Sequence, residues 1–243
     1  MKTVLITGAS HGIGKACAEK FASLGFNVAV NYKSSKDAAF ELCESLCKKG
    51  FSAKPYFADV SSASDVKKMF DEINKDFGGV DILINNAGIS LVKVINDVSE
   101  KEWDEIFSVN AKSAFLCSKA ALSHMLENKW GRIINVSSMW GICGASCEVP
   151  YSAAKAAVVG FTKALAKELA PSGITVNCVA PGITDTKMNA HLTEAEISDF
   201  VKEIPVPRLA AADEIAHCAA FFADEKSSYI TGQVLSCDGG YTI

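Results

Sequence analysis

The chain has no run of Lys or Arg and no apolar stretch approaching the ~18 residues of a membrane-spanning helix. Its 243 residues include 24 basic and 28 acidic side chains, a formal net charge of −4. The phosphate-neutralising surface of a general nucleic-acid binder is therefore missing. The opening MKTVLITGAS has one Lys and then a short apolar, β-branched run before Gly8, too short for the core of a signal peptide. These absences lead to the expectation of a cytoplasmic protein that partners neither membrane nor nucleic acid. An even, closely spaced cysteine set is missing too. The cysteines number 9: Cys17, Cys43, Cys47, Cys117, Cys143, Cys147, Cys178, Cys218 and Cys237. In a chain neither short nor evidently secreted, an odd number reads as reduced thiols. Cys43 and Cys47 stand one helical turn apart, as would Cys143 and Cys147 in a helix. No His sits near either pair, so the expectation is small buried apolar residues and no metal.

Other chemistries are also poorly represented. A Gly-x-Ser-x-Gly nucleophile elbow is absent. His124, His191 and His217 stand alone and read as structural, and Glu194 with Glu196 reads as a solvated helix start. No repeat, low-complexity tract or composition shift divides the chain, so residues 1–243 are expected to form one domain. With 49% hydrophobic and 21% charged residues and mean hydropathy +0.18, the chain has ample apolar surface to fold, which excludes disorder.

Short β-branched runs alternate with longer amphipathic stretches, the pattern of βαβ units and a parallel sheet. Strands are expected at Thr3 to Thr7, Asn27 to Tyr32, Ser52 to Phe57, Asp81 to Asn85, Gly131 to Ser137, Ile174 to Val179 and Gln233 to Ser236. Helices are expected at about 13–24, 35–48, 63–77, 99–127, 152–170 and 212–224. Gly25, Gly50, Gly78-Gly79 and Gly131 fall where helices should stop. Residues 183–209, polar and carrying Pro205 and Pro207, fit no element and read as a substrate lid inserted between a strand and a helix.

The first strand runs into Gly8-Ala9-Ser10-His11-Gly12-Ile13-Gly14 and then a helix. Such glycines allow a tight turn and a close backbone approach to a pyrophosphate, while the helix N-terminus offers free N–H groups. The strand, glycines and helix in succession give the motif its weight; alone it would be only a tight turn.

That Gly-x3-Gly-x-Gly spacing resembles the short-chain dehydrogenase/reductase family, and the resemblance recurs along almost the whole chain. Asp59-Val60 resembles the adenine-contacting pair, and Asn85-Asn86-Ala87-Gly88 matches Asn-Asn-Ala-Gly. Asn110 follows, then Ser138, then Tyr151-Ser152-Ala153-Ala154-Lys155 as Tyr-x3-Lys, and Pro181-Gly182 after the sixth strand. The resemblance implies an α/β, single-domain Rossmann fold: a seven-stranded parallel doubly wound sheet, order 3-2-1-4-5-6-7, with helices on both faces. It also implies a dinucleotide held by Gly8, Ser10, His11, Gly12, Ile13, Gly14, Asp59, Val60, Asn86, Ala87, Gly88, Tyr151, Lys155, Pro181, Gly182, Ile183 and Thr184.

Cofactor choice rests on the end of the second strand. An Asp or Glu there would accept the ribose hydroxyls and repel a 2′-phosphate; the chain has Asn31-Tyr32-Lys33-Ser34 instead. Lys33 and the serines can donate to a phosphate, so NADPH is expected, with NAD as the alternative. His11 stands where NADP users of the family often carry Arg or Lys. The plain alternative for Lys33 and Lys36 is a solvated helix start.

Tyr151 and Lys155, four apart at a helix start, share one face. A phenol has an ordinary pKa near 10, and a neighbouring ammonium is expected to draw it towards the working range. Tyr151 would then protonate a carbonyl oxygen as hydride reaches its carbon, and Ser138 would hold that oxygen. Lys155 would also bind the nicotinamide ribose. The resemblance implies that Asn110 holds a water in the relay returning a proton to Tyr151.

The start and the Tyr229-Ile230-Thr231-Gly232-Gln233 and Asp238-Gly239-Gly240 segments look most like a bacterial branch of the family, the 3-oxoacyl-[acyl-carrier-protein] reductases of fatty acid synthesis. That branch presents basic side chains to its carrier protein. Lys129 could serve here, but Pro171-Ser172 replaces another basic residue. The segment from Ser138 to Tyr151, with Trp140 and Glu148, resembles instead a branch that reduces the 5-aminopentanone modification on translation elongation factor P. Glu148 would suit a cationic amine; the plain alternative is a local cap or salt bridge. Ser138, Trp140, Glu148 and Tyr151 are the expected substrate contacts. The same fold can bind dinucleotides without catalysis, and the intact Asn110, Ser138, Tyr151, Lys155 set argues against that. The family is usually tetrameric, so a homotetramer is expected.

Overall fold

A computed structural model describes residues 1–190 and 192–243; His191 lies outside the described residues. The strands are β1 (Thr3–Ile6), β2 (Asn27–Tyr32), β3 (Ala53–Phe57), β4 (Ile82–Asn85), β5 (Gly131–Val136), β6 (Ile174–Pro181) and β7 (Val234–Cys237). They form one parallel sheet in the order β3-β2-β1-β4-β5-β6-β7, as expected. β1, β4, β5 and β6 are buried along their whole length, which is why Val4-Leu5-Ile6 and Ile82-Leu83-Ile84 read as continuous apolar runs; β5 and β6 also bury Arg132, Asn135, Thr175 and Asn177. Pro55 sits in β3, which pairs only with β2; an edge strand tolerates the missing donor.

The helices are α1 (Gly12–Ser23), α2 (Lys36–Lys48), α3 (Ala63–Phe77), α4 (Glu100–Phe107), α5 (Ser113–Glu127), α6 (Trp140–Cys143), α7 (Val149–Leu169), α8 (Glu194–Lys202) and α9 (Ala212–Ala223). Alternation along β1 divides them into two layers. Val4 and Ile6 pack against α1, α2 and α9, whereas Leu5 faces the other way, with α3, α5 and the end of α7. Side chains on successive strand residues point to opposite faces. Each fully buried aliphatic side chain of these two cores contributes roughly 1.5–3 kcal/mol.

Four expectations are corrected. The helix expected over 99–127 is broken by a π-helical turn at Ser108–Lys112, whose wider i→i+5 geometry places Asn110. Gly131 begins β5 and caps no helix; the left-handed residue after α5 is Lys129, φ 49°. Residues 183–209 carry helix α8, which opens on a capping box between Thr193 and Glu196. Its apolar side packs in a small third cluster of Met139, Ile183, Ile204, Trp140, Phe200 and Tyr241. Among the cysteines, Cys17, Cys43, Cys117 and Cys178 are buried, but Cys47 and Cys143 are exposed and Cys147, Cys218 and Cys237 are half-buried. Among the described residues no helix is long and apolar enough to cross a membrane, and no His/Cys/Asp/Glu cluster could hold a metal.

Candidate active site

The sheet order reverses between β1 and β4, which opens a crevice at the strands' carboxyl ends. The loop after β1 packs directly on the turn after β4. Gly8 has φ +62°, and a Cβ there would stand 3.0 Å from Ala87 Cα. Asn86 Nδ2 donates to the carbonyls of Thr7 (2.9 Å) and Gly8 (3.1 Å), and the Thr7 hydroxyl accepts the Asn86 and Ala87 N–H groups. No room is left for a side chain at Gly8, so the turn presents its backbone as a cradle beside the start of α1.

The cradle opens into a cleft of about 570 Å³. Of the residues expected at a dinucleotide, Gly8, Ser10, His11, Gly12, Ile13, Asn31, Tyr32, Lys33, Ser34, Asp59, Val60, Asn86, Ala87 and Gly88 line it. Gly14 does not; it is buried against Asn86 and Gly8. Tyr151, Lys155, Pro181, Gly182, Ile183 and Thr184 do not line the cleft; Ile183 packs in the third cluster, and the Thr184 hydroxyl donates to the Gly182 carbonyl at 3.0 Å. Ile89, Ser90, Val109, Thr186, Lys187 and Met188 also line the cleft, unforeseen because the segment around 187 read as lid. A larger cavity, about 690 Å³, opens at the opposite, amino ends of β5 and β6, where Lys129 and Arg132 line it.

Asn31, though at the cleft, is 2% exposed. Its amide accepts from Gly8 N–H at 3.1 Å and donates towards the Ala58 carbonyl at 3.2 Å, so it braces three strand ends. Lys33 Nζ pairs with Asp59 Oδ2 at 2.7 Å. Burial pushes the Asp59 carboxyl up, but hydrogen bonds from Lys33 and Ser61 outweigh it and hold the group below its ordinary value. His11 is pulled below its ordinary value by burial and by the positive charge of Lys187 and Lys15. It is neutral at pH 7 within a positive surround.

The second group gathers at the end of β5. Ser138 follows the strand, and Tyr151 and Lys155 project from the first turns of α7. The Ser137 hydroxyl donates to the Lys155 carbonyl at 2.8 Å and Lys155 Nζ donates to the Val136 carbonyl at 2.9 Å, fixing strand to helix. Lys155 Nζ lies 5.6 Å from the Tyr151 ring centroid. Burial pushes the Tyr151 phenol up to about 12; the hydrogen bond with Ser138 works against this, and the charge of Glu148 adds to it. Burial pulls Lys155 down to about 8. The expectation that Lys155 would draw the phenol downwards is not met in this structure: burial dominates, and Ser138 supplies the lowering.

Asn110 is 2% exposed. Its amide donates to the Ile106 and Ile89 carbonyls, both at 2.9 Å, and accepts from Ile89 N–H at 3.3 Å. Gly88 fits between the two groups: a Cβ there would stand 2.6 Å from Asn110 Oδ1 and 3.3 Å from Lys155 Nζ. Glu148 occupies the N-cap position of α7. Trp140 begins α6, and its backbone N–H donates to Ser138 Oγ at 3.1 Å. His124 pairs with Asp81 at 3.1 Å and the His217 ring meets the Asp213 carbonyl at 2.8 Å, both away from this site.

The family model described as short chain dehydrogenase matches residues 2–197. Over 241 residues the chain is 45% identical to an uncharacterized oxidoreductase, YmfI, of Bacillus subtilis, covering 99% of this chain and 98% of that one. It is 41% identical over 239 residues to the 3-oxoacyl-[acyl-carrier-protein] reductase FabG of Staphylococcus aureus, covering 98% and 97%. A crystal structure of an Agrobacterium tumefaciens protein put forward as a gluconate dehydrogenase superposes with TM-score 0.95 at 30% identity, covering 99% of this chain and 96% of that one.

Proposed function

The chain belongs to the short-chain dehydrogenase family, and on that premise we propose that it reduces a ketone to a secondary alcohol with NADPH. The observation that carries this reading is the meeting of Ser138, Tyr151 and Lys155 beside a glycine turn that has no room for a side chain at Gly8. The cradle's fit to a pyrophosphate is supported by Gly8, where a Cβ would crowd Ala87, and by the free N–H groups that open α1.

NADPH, when bound, supplies the hydride. With its phenol pushed up to about 12, Tyr151 holds its proton at neutral pH and gives it to the carbonyl oxygen as that oxygen becomes an alkoxide. The Ser138 hydroxyl donates to the same oxygen and holds the carbonyl in place. Lys155, an ammonium at pH 7 with its pKa near 8, holds the ribose, and the Ser138 hydroxyl is the group that lowers the phenol. Asn110, beyond Gly88, lies on the route by which a proton returns from solvent. Lys33, Ser34 and Lys187 line the cleft and favour a 2′-phosphate; β2 itself ends on Tyr32 rather than a carboxylate, and the nearby Asp59 carboxylate is paired with Lys33. Residues 183–209 act as the substrate lid, with Phe200 facing Trp140.

The ketone is proposed to be a 3-oxoacyl group on acyl carrier protein, as the Staphylococcus relative's name supports. Lys129, beside the cavity at the amino ends of β5 and β6, would meet the acidic carrier. Glu148 favours a second reading. Its charge reaches Tyr151, which suits a ketone bearing an amine, such as the 5-aminopentanone group on elongation factor P. A non-catalytic sensor has no use for the assembled tetrad. Exposed apolar residues on α5 and α9, Phe115 and Phe221, support assembly into a homotetramer. NADPH consumption measured in parallel on an acetoacetyl thioester and on an aminoketone peptide tests the proposal: turnover of one identifies the substrate class, and turnover of no activated ketone rejects the reaction.

A further inference from the structure

We propose that Tyr241, in the C-terminal turn, is a positioning residue that acts on Ser138 through Trp140. This rests on the ketone reductase reading, since it assigns Ser138 the carbonyl oxygen.

The Ser138 hydroxyl has one proton and must aim it at the reacting oxygen. Its orientation is set by its hydrogen bond with the Tyr151 phenol and by the backbone N–H of Trp140, which it accepts at 3.1 Å. That N–H belongs to the first residue of α6, a helix of 4 residues. So short a helix closes too few hydrogen bonds to hold itself in place; Met139 N–H ties its start to the Pro181 carbonyl at 2.9 Å, and side chains supply the rest of the anchor.

The anchor is aromatic. The Trp140 ring meets Phe200 edge-on, with centroids 5.9 Å apart and planes at 89°. It meets Tyr241 in the same way, at 5.5 Å and 83°. Phe200 and Tyr241 stack on each other at 5.2 Å and 19°. Edge-to-face and offset-stacked geometries are the favoured ones for such rings. Three segments far apart in sequence thereby close on one point: α6 through Trp140, α8 through Phe200 and the chain end through Tyr241. Met139, Ile183 and Ile204 form the buried floor.

Tyr241 is held on both sides. Asp238 Oδ1 accepts Gly240 N–H at 3.0 Å, and its Oδ2 accepts the N–H and hydroxyl of Thr242 at 3.2 and 2.5 Å. A single buried carboxylate thus fixes the residues flanking the ring. The same segment packs closely on the Pro181-Gly182 turn: Gly182 N–H donates to the Cys237 carbonyl at 2.9 Å, and a Cβ on Gly182 would stand 2.7 Å from Asp238 Cα. The Tyr241 hydroxyl faces Glu203, which follows α8. The chain end therefore reaches Ser138 through two contacts, Tyr241 to the Trp140 ring and the Trp140 N–H to Ser138 Oγ.

The test compares Tyr241→Ala, Tyr241→Phe, Ser138→Ala and the Tyr241→Ala/Ser138→Ala double variant in ketone reduction, NADPH binding and hydrogen exchange at the Trp140 amide. Tyr241→Ala is expected to lower kcat/KM about tenfold or more, short of the 10²–10³ range for complete loss of an oxyanion donor. NADPH affinity should stay within about twofold. Tyr241→Phe, which keeps the ring, should restore turnover to within about threefold of the unmodified protein. In the Ser138→Ala background the added Tyr241→Ala should cost less than about twofold, because both changes remove one interaction. The Trp140 amide should exchange at least about tenfold faster in Tyr241→Ala. Multiplying effects in the double variant, or unchanged exchange and turnover in Tyr241→Ala, would overturn the inference. Should Tyr241→Ala fail to fold, Tyr241→Leu keeps the packing volume and loses the stack. If the unmodified protein turns over no ketone, the proposed reaction fails, and the amide exchange still decides whether Tyr241 orders Trp140.

Discussion

Lys33 Nζ stands 2.7 Å from Asp59 Oδ2, an ion pair joining the end of β2 to the turn after β3 at the rim of the dinucleotide cleft. The lysine side chain remains 61% exposed, so the pair is open to solvent and to a competing anion. A 2′-phosphate would draw the ammonium from Asp59 with little loss, since exposed pairs contribute only about 0–1 kcal/mol.

Lys33→Ala is therefore expected to lower kcat/KM with NADPH about tenfold and to change NADH by less than about twofold. Tyr32→Asp should shift preference towards NADH by repulsion of the phosphate. Asn31 is the wrong position for that experiment. Its amide is buried among backbone groups, so a carboxylate there would cost stability first. Cofactor preference is checked by kcat/KM for both nucleotides; equal or better NADH use by the unmodified protein would contradict the account.

Gly88→Ala should reduce turnover more than tenfold. Its Cβ would stand 2.6 Å from Asn110 Oδ1, pushing apart the π-helical turn and Lys155 at a stability cost of about 1–3 kcal/mol. Thermal unfolding and steady-state kinetics on the same preparation check both parts.

Lys155→Met should abolish reduction yet raise the melting temperature at pH 7. The folded protein releases the Lys155 proton near pH 8 and an unfolded chain near about 10.4. Between those values the unfolded state binds more protons, so this group makes stability rise with pH across that window. Below it, the buried ammonium costs on the order of 2–3 kcal/mol. Removing it should relieve that cost and flatten the rise between about pH 8 and 10.4. A stability–pH profile unchanged by the substitution would contradict the burial argument.

The alternating strands and helices and the glycine loop were legible because both depend on local pattern, the loop being contiguous with β1 and α1; the sheet order came only with the family resemblance. The π-helical turn at Asn110 was not. Nothing in Ser108–Lys112 interrupts the helical periodicity; the bulge is imposed by Asn110 bonding to Ile89 and Ile106. Helix α8 was hidden because it buries little, and its apolar face meets Trp140 and Tyr241, residues remote in sequence. Lys187 at the cleft was missed for the same reason. The Tyr151 environment also needed the fold: the Tyr-x3-Lys spacing shows the ammonium but not the burial that outweighs it.

Glu148→Gln separates the two substrate readings. For an amine-bearing ketone it should lower kcat/KM about tenfold or more, as loss of a partly shielded charge-assisted contact of about 1–3 kcal/mol would, and leave a neutral 3-oxoacyl thioester nearly unchanged. Lys129→Ala should instead slow only the carrier-bound substrate, and less so at high salt. Equal effects of Glu148→Gln on both substrates would reduce Glu148 to a support for the start of α7.

Tyr151→Phe, assayed for NADPH binding and ketone reduction on one preparation, tests the central claim most directly. The substitution removes one oxygen from a buried ring and leaves the cradle untouched. NADPH affinity should stay within about twofold, while reduction falls by the 10²–10⁴ range of a lost general acid. Reduction above about one-hundredth of the unmodified rate would contradict Tyr151 as the proton donor.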